Sequence, residues 1–104
     1  MATTKITWDN FEKEVIQSEQ TVLIDFWATW CGPCQMLAPF LEEVAEEMPE
    51  VKFCKVNVDE EPELTSRFGV MNIPMLVVMK GGKLVNQSVG FQGKEQIKDL
   101  VTKF

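Results

Sequence analysis

The chain has 104 residues, 45% of them hydrophobic and 25% charged, a composition that suits one compact domain (1–104) with one core and excludes fibrous and disordered classes. Ten basic against sixteen acidic residues give a net charge of -6, with no basic cluster to neutralise phosphate, so neither nucleic acid nor a membrane is an expected partner. The absence of histidine removes Ser-His and Cys-His triads and every histidine-containing zinc site.

The opening "MATTKITW" has no basic region followed by an apolar stretch, and no apolar run approaches the roughly 18 residues of a membrane-spanning helix. A cytoplasmic location is therefore expected. In "TWDNFEKEVIQ", Trp8, Phe11 and Val15 recur at i, i+3, i+7 and predict a short amphipathic helix with Thr7 as its N-cap. Thr21 to Trp27, "TVLIDFW", is nearly all apolar, as a strand covered on both faces should be. From Pro33 to Met48 the residues Leu37, Phe40, Leu41, Val44 and Met48 keep helical spacing, with Pro39 expected to kink the helix.

Val51 to Asp59 forms a second central-strand candidate, and "ELTSRFGV" a short helix ended by Gly69. "PMLVVMK" and "KLVNQSV" meet at Gly81-Gly82 as a β-hairpin. A last helix carries Ile97, Leu100, Val101 and Phe104 on one face. The resulting β-α-β-α-β-α-β-β-α string predicts an α/β sandwich: a central mixed sheet with helices on both faces. It leaves the topology open.

Three cysteines stand at 31, 34 and 54, too few and too clustered for a secreted disulfide scaffold. Cys31 and Cys34 lie where the buried strand hands over to the long helix. Pro33 suits the first helical turn, which puts Cys31 at the helix N-terminus and Cys34 one turn in on the same face. Unpaired backbone N–H groups and the positive end of the helix dipole favour a thiolate at Cys31, and the thiolate is the form that attacks a disulfide. Cys34, deeper in the turn, suits the resolving role. Gly32 leaves the first sulfur uncovered, and Trp30 supplies an apolar shoulder. A zinc site would need four ligands, and a structural staple would close too short a loop to restrain the unfolded chain much.

"DFWATWCGPC", "PF" with Pro39 in the helix, "KVNVDE", "GVMNIPM" and "SVGF" together resemble the thioredoxin family over the entire chain. The resemblance implies a thioredoxin fold, a central five-stranded mixed β-sheet flanked by four α-helices, with Pro74 as a cis-proline whose peptide lies against the cysteines. It implies that Asp25 is a buried acid accepting the Cys34 proton through water, with Lys55 modulating its charge. The residues agree, since Asp25 interrupts an apolar strand where an unpaired carboxylate is costly; an edge-strand Asp facing water, or a structural partner of Lys55, would be alternatives. Trp30, Gly32, Pro33, Ile73, Pro74 and Gly90 would form the rim on which extended substrates dock, with Trp27 as packing beneath.

Met75, Met71-Asn72 and Phe91 depart from the family's usual residues and are expected to make the docking surface bulkier and richer in methionine. Cys54 is expected to be a buried small hydrophobe. The implied activity is that of a monomeric disulfide reductase. It would have no bound cofactor, and would be recharged by a thioredoxin reductase with electrons ultimately from NADPH. A dithiol oxidase or isomerase, and a non-catalytic scaffold subunit, are the rival readings.

Overall fold

The computed structural model describes residues 2–104. Strands β1 (Thr4–Lys5), β2 (Thr21–Trp27), β3 (Val51–Asn57), β4 (Met75–Lys80) and β5 (Lys83–Val89) form one sheet in the order β1-β3-β2-β4-β5. β1 and β2 run parallel to β3, while β4 runs antiparallel to both β2 and β5, so the sheet is mixed. Helices α1 (Trp8–Phe11), α2 (Gly32–Glu47), α3 (Pro62–Arg67) and α4 (Lys94–Thr102) interleave with the strands as the alternation requires.

The sheet divides the core in two because side chains alternate along a strand. Val22, Ile24, Phe26, Val77 and Met79 face Phe11, Val15 and Leu64 on one side. Leu23, Phe53, Leu76 and Val78 face Leu37, Leu41, Val44, Ile97 and Val101 of α2 and α4 on the other. Each such fully buried side chain contributes roughly 1.5–3 kcal/mol. β2, covered on both faces and hydrogen-bonded on both edges, is the innermost strand. That disposes of Asp25 as an edge residue. Lys94 and Lys98 bridge to Glu47 at 2.7 Å each and tie α4 to the end of α2.

Some expectations change. α1 continues as a π-helical segment over Glu12–Ile16, and Trp8 at its start is half-exposed, leaving Phe11 and Val15 to make the apolar contact. Thr7 is the N-cap, and the Asn10 side chain accepts from its N–H at 2.8 Å. β3 stops at Asn57, two residues early, where the Asn57 side chain turns to accept from the Asp59 N–H at 2.9 Å. Phe104 lies beyond α4 and is exposed. Met75 is the clearest correction. It is 7% exposed and sits among the core residues facing Phe11 and Val15, because it shares parity with Val77 and Met79. It is not part of a docking surface.

Candidate active site

β2 ends at Trp27, and four residues later Cys31 caps α2 with extended backbone (φ -92°, ψ 109°). Pro33 lies in the first turn, where its missing N–H has no partner to lose. The loop between is fixed by its own groups: the Cys31 N–H donates to Ala28 O at 3.3 Å, and Gln35 Nε2 donates to the same oxygen at 3.3 Å. Pro39 stands within α2, which continues to Glu47 around it.

Cys31 and Cys34 are joined as a disulfide, with Cα atoms 5.3 Å apart. The Cys34 N–H donates to Cys31 Sγ at 3.3 Å, so the helix start already directs a backbone donor at this sulfur. That bond and the helix dipole both favour negative charge there once the pair is reduced. The sulfurs pack against Ala28, Trp27, Val58 and Ile73; Cys31 keeps 5% exposure and Cys34 2%. The expected uncovering of the first sulfur is therefore narrow in the oxidised form. Gly32 and Pro33 are exposed, and the space a Gly32 side chain would enter is open.

The Ile73–Pro74 peptide is cis, and Ile73 O lies 3.8 Å from Cys31 Sγ. Pro74 is buried, and its carbonyl accepts from the Gly90 N–H at 2.7 Å. Gly90 has φ +93°, a region that an L side chain resists, so a glycine is what lets the chain turn back onto Pro74. Trp30 is 69% exposed, and its indole N–H donates to Asp59 Oδ2 at 2.9 Å. Met71, 91% exposed, and Phe91, edge-on to Phe40 with ring centroids 5.6 Å apart, extend the apolar surface. Asp59 was not singled out from sequence. An Asn two residues ahead of it, the signature of an Asx turn, was the available sign.

Asp25 is wholly buried, and neither carboxylate oxygen has a hydrogen-bond partner among the described residues. Burial raises its pKa to about 7, against the opposing pull of Lys55, its register neighbour on β3. Lys55 Nζ lies 4.8 Å over the Trp27 ring. Cys54, on the other face of the sheet, is buried, and that burial pushes its thiol up to about 12. It stays a thiol at any physiological pH. Among the described residues no three of the acidic and cysteine side chains cluster as metal ligands, and no helix is long and apolar enough to cross a membrane.

Comparison with known proteins agrees with this geometry. The thioredoxin family model matches residues 2–103. A thioredoxin of Alicyclobacillus acidocaldarius is 53% identical over 98 residues, 93% of this chain and 92% of its own. One of Bacillus subtilis is 50% identical over 104 residues, covering 99% and 98%, and one of Listeria monocytogenes is 48% identical over 101 residues, 96% of each. Thioredoxins carry no bound cofactor; they exchange disulfides with a reductase on one side and disulfide-containing proteins on the other. The chain belongs to the thioredoxin family of dithiol–disulfide oxidoreductases, and Cys31 and Cys34 are its redox-active pair.

Proposed function

We propose that the chain works as a single-domain, monomeric, cytoplasmic reductant of client disulfides, with Cys31 as nucleophile and Cys34 as resolving thiol. The Cys31 thiolate attacks one sulfur of a client disulfide, forming a mixed disulfide and releasing the other sulfur as a thiolate. Cys34 then loses its proton to Asp25 through water and attacks Cys31 Sγ. The second client sulfur leaves, and the Cys31–Cys34 disulfide forms. Two electrons pass to the client, and a flavin-dependent thioredoxin reductase returns them from NADPH.

The observation that carries the assignment is the Cys34 N–H aimed at Cys31 Sγ at 3.3 Å, at a helix N-cap. It favours a thiolate on Cys31 over one on Cys34. Lys55 moderates the Asp25 charge. Trp30, Gly32, Pro33, Ile73, Pro74 and Gly90 would border the docked client segment, to which Ile73 would present its backbone. Met71 and Phe91 would widen the apolar rim.

Trapping tests the order of attack. Cys34→Ser should accumulate mixed disulfides through Cys31, seen on non-reducing gels and mapped by mass spectrometry, whereas Cys31→Ser should accumulate none. Adducts on Cys34 in the Cys31→Ser protein, at comparable yield, would reverse the assignment.

A further inference from the structure

Three side chains stand in a row across neighbouring strands: Lys5 on β1, Lys55 on β3 and Asp25 on β2 are successive register partners in the parallel part of the sheet. Equivalent positions of parallel neighbours project to the same face. The middle member is the cation whose field acts on Asp25. Its reach is through space, since neither Asp25 oxygen has a hydrogen-bond partner among the described residues.

The outer member is engaged differently. Lys5 Nζ is 3.3 Å from Glu60 Oε1. Both side chains are largely exposed, so the pair contributes little to folding. Its position is more telling. Lys5, Glu60, Lys55 and Trp27 line one open groove of about 420 Å³, with Thr29 and Asn57. The groove thus holds one carboxylate and two ammonium groups, and the carboxylate is on Lys5. Were Lys5 absent, the nearest cation left for Glu60 in that groove would be Lys55.

We propose that Lys5 is a positioning residue for the exchange reaction: by holding Glu60, it keeps that carboxylate off Lys55 and leaves the Lys55 ammonium over Trp27 and directed at Asp25. The inference rests on the reading of Asp25 as the Cys34 proton acceptor for its catalytic meaning, though not for its electrostatics.

The other charged and titratable neighbours do not replace Lys5 in this role. From α2, Glu42 also feels the field of Lys55, but its two oxygens accept from the Ala2 N–H at 2.9 Å and the Thr3 hydroxyl at 2.6 Å. Cys34, also on α2, is neutral in the disulfide. On β4 the residue opposite Asp25 is Leu76, and β5 places Ser88 beyond it, so no charge approaches from that side.

The test uses the full-length oxidised protein, in which Cys31 and Cys34 do not titrate, and follows the Asp25 carboxyl by 13C NMR across pH. Lys5→Ala should raise the Asp25 midpoint by about one pH unit, the low end of what an adjacent cation supplies. Adding Glu60→Ala should bring it back, although the change in β1 remains; a merely structural loss at β1 would not be rescued. No shift in Lys5→Ala, or a shift that persists in the double variant, overturns the proposal. Single-turnover client reduction is measured alongside. A one-unit rise from about 7 leaves roughly fivefold less ionised Asp25 at neutral pH, and resolution should slow by about that factor. If the carboxyl moves as expected and the rate does not, Lys5 positions Lys55 as proposed, and it is the proton-acceptor role of Asp25 that fails.

Discussion

Asp25 lies in the innermost strand without a hydrogen bond to either oxygen among the described residues, and burial raises its pKa from 3.8 to about 7. The folded state therefore holds the proton more tightly than the unfolded chain does. The penalty for ionising Asp25 is absent below the unfolded pKa, grows as pH climbs from 3.8, and is complete above about 7. Its full size is on the order of 4 kcal/mol. Asp25→Asn should accordingly raise the unfolding free energy from urea titrations at pH 8, by up to that much, and change it little at pH 4, while slowing client reduction. Equal gains at both pH values would mean that ionisation is not what is relieved. The burial of Asp25 was legible from the family resemblance, with which one acid in an apolar run agrees. That of Met75 was not, because Met75 to Met79 are all apolar and nothing within such a run marks which residues face which side. Asp59 is legible only as a turn residue; its bond to Trp30 joins parts of the chain 29 residues apart.

At the scale of elements, α2 was legible from its helical spacing between Leu37 and Met48, and the hairpin of β4 and β5 from its Gly81-Gly82 turn. Gly81 and Gly82 have φ +60° and +76°, the left-handed values a tight hairpin turn requires. Their alanine variants should differ. Gly81→Ala pays only for the backbone, about 1–2 kcal/mol. A Cβ on Gly82 would also come within 3.3 Å of Ile16 O, at the end of the π-helical segment, so Gly82→Ala should be the more destabilising of the two in urea titrations. A larger loss at Gly81 would show that the hairpin does not lean on that segment. The π-helical continuation of α1 was illegible: "EKEVI" is compatible with ordinary helix, and the widened turn shows only in where Phe11 and Val15 come to rest.

For the molecule as a whole, strand and helix alternation announced the layers but was silent on strand order, because several arrangements of β-α-β-α-β-α-β-β-α bury the same faces. In the order found, β1-β3-β2-β4-β5, the reactive helix grows from the central strand and the outermost positions go to a two-residue strand and to the exposed hairpin arm. The sheet should therefore come apart from its margins inward. In native-state hydrogen exchange, amides of β1 and β5 should lose protection first and those of β2 only with global unfolding; early exchange within Ile24–Phe26 would contradict this. The redox pair follows directly on the central strand, so a sheet that opens from its margins would reach the sulfurs that carry the electrons last.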